Sequence, residues 1–149
     1  MRFSDLLSRL GGVREDTPRH LAEDPELSGA ESIDRAGGGQ LSFLEPGNAL
    51  AAALAQTGAA AVLLPPDAAL QEQARERGIA WVAITDPRLA FAEALDALYP
   101  RPPKPPGMHP TAVVDGSARI ADGAHIGARV VIGADCEIGA GCVLHPGVV

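Results

Sequence analysis

The chain has 149 residues, of which 46% are hydrophobic and 3% aromatic, and its formal net charge is −7 at pH 7. This length fits one domain or two small ones, and the acidic balance argues against nucleic acid as a partner. No apolar run approaches the roughly 20 residues of a membrane-spanning helix, and the first residues lack the pattern of a signal peptide, which together predict a cytoplasmic location without a membrane span.

The first predicted helix lies at the start of the chain. Apolar residues recur there at the spacing of one helical face, and a glycine at position 11 follows them. The inner face is predicted to consist of Phe3, Leu6, Leu7 and Leu10. Glycines come later at residues 37–39, and because no Lys-Ser/Thr ending follows, they indicate a turn before a strand and not a phosphate-binding loop.

Strand-like and helix-like patterns alternate from there to residue 99. The predicted strands are residues 39–45, 59–65 and 79–85, and the last two are continuous apolar runs typical of strands buried on both faces. The predicted helices are residues 48–58, 66–78 and 86–99. This alternation predicts a small α/β domain over residues 1–99.

Two of these helices have a clear apolar face. Leu50 and Leu54 are predicted to face inward in the helix 48–58. The helix 86–99 has Asp86 as its N-cap and a proline at its first position, both of which favour a helix start. Its inward-facing residues are predicted to be Phe91, Leu95 and Leu98.

A proline-rich hinge follows at residues 100–107, where five of eight residues are proline. Proline excludes a helix interior and favours an extended, semi-rigid spacer. The segment after it, residues 108–149, has a different period, so the hinge predicts a domain boundary.

Residues 108–149 divide into seven consecutive hexads. The first positions of the hexads, all aliphatic or methionine, are Met108, Val114, Ile120, Ile126, Ile132, Ile138 and Leu144. The fifth positions, all small, are Ala112, Ala118, Ala124, Val130, Cys136, Cys142 and Val148. Each hexad fits one short strand and a turn, and three hexads close a triangular coil, so the pattern predicts a parallel β-helix with stacked strands about 4.8 Å apart.

The two cysteines of the chain, Cys136 and Cys142, both stand in the small column. This placement predicts two buried thiols that act as small apolar fillers. Zinc binding is the alternative, although no CxxC pair or histidine pair at metal-ligand spacing accompanies the cysteines.

The ordered segments SFL at 42–44, DPRLAFA at 86–92 and HPTAVV at 109–114 are similar to those of the UDP-3-O-acylglucosamine N-acyltransferase family of lipid A biosynthesis. The resemblance covers essentially all 149 residues and corresponds to the N-terminal portion of the family. It implies a uridine-binding α/β domain followed by the start of a left-handed parallel β-helix that trimerises. It also implies transfer of a 3-hydroxyacyl group from acyl carrier protein to the glucosamine 2-amine of UDP-3-O-acylglucosamine, without a cofactor.

The same resemblance implies the substrate-binding residues. Phe43 matches the aromatic that stacks on uracil, although a plain core aromatic is the alternative for this position. The family continues with an Asn-Pro-Lys-Tyr run, where this chain has Pro46 at the Asn position and Ala49 at the Tyr position. Asn48 is expected to substitute in this run after a small shift.

The catalytic base of the family is a histidine in a later coil, and none of the four histidines of this chain matches it. Those residues are His20, His109, His125 and His145, and the last is predicted to lie in a solvent-facing turn. The chain is therefore expected to be inactive alone. A UDP-sugar-binding or oligomerising scaffold without catalysis remains the alternative, as does, more distantly, a hexapeptide-repeat transferase with another acceptor.

The β-helix is expected to be short. Seven hexads make about two coils, whereas repeat arrays usually need about three units or more and a cap. An uncovered coil presents open strand edges and apolar interior to water. The final coil is therefore expected to fray or to self-associate.

Overall fold

The computed structural model describes residues 1–47 and 49–149. The chain divides into two compact units, Met1–Arg101 and Pro102–Val149. Among the described residues, the first unit has two hydrophobic cores and the second has one. In the described part of the chain, no helix has the length and apolar character needed to cross a lipid bilayer.

A five-stranded sheet forms the centre of the first unit. Its strands are β1 (Arg19–His20), β2 (Gly29–Ala30), β3 (Gln40–Phe43), β4 (Ala61–Leu64) and β5 (Ala80–Ala83). The strand order is β1-β5-β4-β3-β2, and the last four are parallel, whereas β1 pairs with β5 antiparallel. The three predicted strands are confirmed as β3, β4 and β5. The sequence did not predict β1 and β2, because two residues carry no periodicity.

Helices cover both faces of this sheet. The helices are α1 (Phe3–Leu7), α2 (Ala68–Glu76) and α3 (Pro87–Leu98), with a 3-10 helix at Ala49–Ala55. One core joins α1 and α3 to alternate strand residues, and the other joins the 3-10 helix and α2 to the remaining ones. Alternation along each strand thus places successive side chains in opposite cores.

The first predicted helix is shorter than expected, but its inner face is confirmed. The helix ends at Leu7, and the chain continues in turns through Gly12. The four predicted inward residues are at most 5% exposed, namely Phe3, Leu6, Leu7 and Leu10. The segment around Gly38 and Gly39 is a turn directly before β3, as predicted.

Within the segment predicted as a helix, Ala49–Ala55 form a 3-10 helix, and one of the two residues predicted to face inward is exposed. Leu54 is 0% exposed, whereas Leu50 is 44% exposed. A 3-10 helix has about 3.0 residues per turn, so residues four apart do not share a face as they do in an α-helix. The prediction that Leu50 faces inward is therefore wrong.

Helix α3 begins as predicted, with the Asp86 side chain accepting a hydrogen bond from the Leu89 amide at 2.9 Å. The innermost residues are Pro87, Ala90 and Ala94. Phe91 and Leu98 pack against the same core while partly buried. The buried Ala90 and Ala94 each stand one residue before the predicted Phe91 and Leu95, and Leu95 itself is partly buried.

Helix α1 is capped from a distance. Its N-cap residue makes no side-chain cap bond, and instead the Asp24 carboxylate accepts hydrogen bonds from the Ser4 amide and the Ser4 hydroxyl, both at 2.8 Å. The hydrogen bond from the Ser4 amide lowers the pKa of Asp24 below its ordinary value of 3.8, and the hydrogen bond from the Ser4 hydroxyl lowers it further. This carboxylate satisfies helix donors that the first turn leaves unpaired.

The second unit is built from seven two-residue strands. They are β6 (Gly107–Met108), β7 (Val113–Val114), β8 (Arg119–Ile120), β9 (His125–Ile126), β10 (Val131–Ile132), β11 (Glu137–Ile138) and β12 (Val143–Leu144). All pairs are parallel, and the three sheets are β12-β9-β6, β10-β7 and β11-β8. The three predicted ladders are confirmed: Met108 aligns with Ile126 and Leu144, Val114 with Ile132, and Ile120 with Ile138.

The corners of this β-helix use left-handed backbone and hydroxyl side chains. Arg129 and Asp135 have φ of 56° although neither is glycine. The amide of Arg129 donates to Thr111 Oγ1 at 3.1 Å, and the amide of Asp135 donates to Ser117 Oγ at 2.9 Å. Each bond joins residues eighteen positions apart, so the hydroxyls link consecutive coils at their corners.

The prediction of buried cysteines is wrong, because Cys136 and Cys142 are both exposed and free. Earlier members of the same column, Ala124 and Val130, are 5% and 0% exposed. Burial in this column requires coils on both sides, and strands pair at a spacing of eighteen residues, as Val113 with Val131. Cys136 directly precedes β11, which among the described strands pairs with β8 on one side alone. Fraying or self-association of the last coil stays a prediction.

Replacing Gly127 by alanine tests coil stacking. A Cβ at Gly127 would meet the Pro146 amide nitrogen at 2.7 Å and the Leu144 carbonyl oxygen at 2.9 Å. We expect a loss of about 1–3 kcal/mol in the free energy of unfolding and faster amide exchange in β12. Gly133→Ala is the matched control, since a Cβ there meets nothing within 4 Å. Equal effects of the two variants would contradict the stacking geometry.

Replacing Asp24 by asparagine tests the distant cap. Asparagine tolerates the positive φ of 51° at this position but cannot accept both Ser4 bonds. We expect a loss of about 1 kcal/mol at neutral pH. A depressed carboxyl pKa stabilises the fold above 3.8 and ceases to do so as pH falls through the folded value, so the difference from wild type should shrink at low pH. Urea unfolding at both pH values measures it, and a pH-independent difference would contradict the account.

Candidate functional site

Phe43 is the last residue of β3, at the carboxyl end of the parallel strands. Its side chain is half-buried and packs at the margin of the core formed with α1 and α3. Ligands of open parallel sheets bind at the carboxyl ends of the strands. Among the predicted site residues, Phe43 therefore lies where the fold favours ligand binding.

The backbone at this strand end is fixed from both sides of the sheet. The next residue, Leu44, is 0% exposed in the opposite core, and its amide donates to the Leu63 carbonyl at 3.0 Å. With its neighbour anchored, the Phe43 ring stays on the α3 face. The chain then turns through Glu45, Pro46 and Gly47, where Gly47 has a φ of 67°.

Helix α3 places an aromatic ring against Phe43. The ring centroids of Phe43 and Phe91 are 4.6 Å apart with an interplanar angle of 32°. This separation lies at the close end of the range for aromatic pairs and leaves no room for a base between the rings. Phe91 therefore supports one side of Phe43, and a stacked base would use the other side.

An ion pair joins the loop after β3 to the start of α3. Arg88 Nη2 donates to Glu45 Oε2 at 2.9 Å, and the two residues are 43 positions apart in sequence. Both side chains are accessible, at 72% for Arg88 and 36% for Glu45. A cationic group and an aromatic platform thus lie together at the end of β3.

The second predicted substrate-binding residue, Asn48, lies outside the described residues. Phe91, Arg88 and Glu45 were not predicted as site residues. Their proximity to Phe43 comes from the packing of α3 across the sheet, which no local pattern reports. The sequence contains one signal for a distant cation. Residues 36–74 contain no Lys, Arg or His, so a cation near that segment must come from another part of the chain.

The histidines have local roles in the second unit. His125 Nδ1 lies 2.8 Å from the Pro105 carbonyl oxygen, to which it donates, and His109 Nδ1 accepts from the Thr111 amide at 3.2 Å. His145 is exposed beside the turn at Pro146 and Gly147, as predicted. Among the described residues, no group of three or more His, Cys, Asp or Glu side chains is arranged to hold a metal ion.

Carboxyl groups with a lowered pKa owe the shift to neighbouring serine or arginine hydrogen bonds. Those groups are Asp24, Glu31, Asp34, Glu72 and Asp115. None of the five belongs to β3 or α3. They stabilise local structure and do not mark a proton-transfer site at the end of β3.

A separate cavity of about 570 Å³ lies at the amino ends of β4 and β5. Its lining includes the side chains of His20, Glu23 and Arg77. Arg77 Nη1 donates to the carbonyls of Leu54 and Thr57 at 2.7 and 2.9 Å, so this guanidinium ties down the 3-10 helix. The cavity is at the opposite end of the parallel strands from Phe43.

The second unit has the repeat and the parallel pairing of the hexapeptide-repeat class of bacterial transferases, and the family model for that repeat matches residues 117–149. A second family model, described as UDP-3-O-(3-hydroxymyristoyl) glucosamine N-acyltransferase, LpxD, matches residues 24–97. The chain belongs to the UDP-3-O-acylglucosamine N-acyltransferase family, as its N-terminal portion.

Three relatives that match this chain carry that name. The protein of Parasynechococcus marenigrum (strain WH8102) is 48% identical over 98% of this chain and 42% of its own length. The protein of Synechococcus sp. (strain CC9902) is 53% identical over 87% of this chain and 38% of its own length. The protein of Synechococcus sp. (strain WH7803) is 47% identical over 87% of this chain and 37% of its own length. The chain thus spans about two fifths of the length of these relatives.

Proposed function

We propose that the chain is the nucleotide-binding portion of a UDP-3-O-acylglucosamine N-acyltransferase that acts in the cytoplasm in lipid A biosynthesis. The whole protein would transfer a 3-hydroxyacyl group from acyl carrier protein to the 2-amine of UDP-3-O-acylglucosamine. Residues 1–99 would bind the uridine end, residues 100–107 would form the hinge, and residues 108–149 would begin a left-handed β-helix. Family membership and the accessible aromatic at the end of β3 support this assignment.

The observation that carries the nucleotide-binding proposal is the position of Phe43. Its ring is held from one side by Phe91 at 4.6 Å and remains half-buried at the carboxyl end of a parallel strand. A ring held in place loses little freedom when a base stacks on it, so stacking is favoured. The alternative, a plain core aromatic, predicts no ligand at this ring.

The proposal assigns no catalytic base to this chain. The described contacts of His109 and His125 are to Thr111 and Pro105, within the repeat segment or the hinge. General base catalysis requires a histidine within reach of the substrate amine. We therefore expect the chain to bind nucleotide and not to transfer acyl groups by itself.

Homotrimer formation through the β-helix is part of the proposal. One side of the β-helix presents Val113 and Val131, which are paired neighbours and are 61% and 42% exposed. The adjacent ladder instead presents the ion pair of Arg119 with Glu137. An apolar ladder on one flat side suits contact with further copies. It also favours the second candidate, an oligomerising scaffold without catalysis.

Replacing Phe43 by leucine tests the nucleotide-binding proposal. Wild type should bind uridine, and Phe43→Leu should weaken binding by about 5- to 150-fold, because base–aromatic stacking contributes about 1–3 kcal/mol. Titration calorimetry, with amide chemical shifts near β3, measures the effect. Tyr99→Leu is the matched control, since Tyr99 is an exposed aromatic of the same unit whose hydroxyl accepts from the Ala30 amide. Unchanged affinity in Phe43→Leu, or no uridine binding by wild type, would contradict the proposal.

A further inference from the structure

We propose that Arg88 recognises the diphosphate of the nucleotide bound at Phe43, and that Glu45 competes with the phosphate for the Arg88 guanidinium. This inference rests on the proposed function, because it requires a nucleoside at Phe43. It adds a residue that selects nucleoside diphosphates over nucleosides and a built-in competitor that tunes this selection.

Positively charged residues are scarce near Phe43 in the sequence. Residues 36–74, which include β3 and the segments after it, contain no Lys, Arg or His. Residues 1–100 as a whole hold eight Arg against fifteen Asp and Glu. General electrostatic attraction therefore does not draw a diphosphate to this unit, and a specific cation must do so.

The fold supplies that cation from α3. Arg88 and Phe91 are three residues apart on α3, so they lie on neighbouring positions of one helical face. Phe91 contacts the Phe43 ring at 4.6 Å between centroids, and Arg88 reaches Glu45, two residues beyond Phe43, at 2.9 Å. The residue that supports the Phe43 ring and the residue proposed to bind the anion thus lie about one turn apart on the same helix.

Exchange of Glu45 for a phosphate requires little free energy. Ion pairs between exposed side chains are weak because water screens the two charges, and Arg88 is 72% exposed. Glu45 accepts from one nitrogen, Nη2, of a guanidinium whose donors form a planar fork. Phosphate accepts such a fork in bidentate geometry and carries more charge than one carboxylate, so it is the stronger partner.

The amino end of α3 is not itself the anion site. The Asp86 carboxylate accepts from the Leu89 amide at 2.9 Å, and the Asp86 carbonyl accepts from the Ala90 amide at 3.1 Å. A carboxylate already occupies the position where an anion would meet the helix donors. Recognition of the phosphate therefore falls to the Arg88 side chain.

The test uses variants that break the same ion pair from opposite ends. Uridine and UDP are titrated by calorimetry into the 149-residue chain and into Arg88→Gln and Glu45→Gln. Wild type should bind UDP about tenfold more tightly than uridine, the size of one charge-assisted hydrogen bond. Arg88→Gln should abolish this preference, whereas Glu45→Gln should increase it by a factor of about 2–5 because the competitor is gone. Affinity for uridine should stay unchanged in both variants.

A matched control separates Arg88 from arginine loss in general. Arg75 pairs with Glu72 at 2.6 Å on α2 and is similarly exposed, at 59%. Arg75→Gln should therefore bind both ligands as wild type does. Arg88→Lys, which keeps the charge, should retain part of the UDP preference. Thermal unfolding of each variant checks that the fold is intact.

The outcomes distinguish this inference from the proposed function. If wild type binds neither ligand, both are overturned. If wild type binds uridine and UDP equally, the nucleoside site stands and the role of Arg88 is overturned. If Arg88→Gln and Glu45→Gln change the affinities for uridine and UDP in the same direction, the ion pair only stabilises the local structure and the inference is overturned. The inference is supported if Arg88→Gln weakens UDP binding and Glu45→Gln strengthens it, with uridine binding unchanged.

Discussion

Parallel pairing between strands is the constraint on which both units depend. Parallel neighbours cannot be joined by a tight turn, so the chain must travel before it pairs again. In the first unit the return passes through the 3-10 helix between β3 and β4, and through α2 between β4 and β5. In the second unit the return is one triangular coil of eighteen residues, which places Ile126 between Met108 and Leu144.

The candidate site is a consequence of this arrangement. Parallel pairing brings the carboxyl end of β3 to one edge of the sheet, and alternation sends Phe43 to one core and Leu44 to the other. Helix α3 then crosses β3 and β4 on the Phe43 side and contributes both Phe91 and Arg88. The aromatic platform and the cation are therefore positioned by one helix. The cation is held at this strand end by its ion pair with Glu45, in the segment between β3 and β4.

The sequence predicted the elements whose residues follow a regular period, and it did not predict features that depend on tertiary contacts. The six-residue period gave every ladder of the second unit, and long apolar runs gave β4 and β5. Burial of Leu50 was mispredicted because the helical period was assumed to be that of an α-helix. Burial of Cys136 depends on a neighbouring coil, which the column pattern does not report. The pair of Glu45 with Arg88 joins residues 43 positions apart, so packing alone reveals it.

The central claim is that a nucleoside stacks on Phe43 at the carboxyl end of the sheet. Intermolecular nuclear Overhauser effects between uridine and the 149-residue chain test it most directly. The account predicts contacts from the uracil H5 and H6 protons to the Phe43 ring, with weaker ones to Phe91. Contacts to residues of the cavity at the other end of the strands, such as His20 and Arg77, would contradict it.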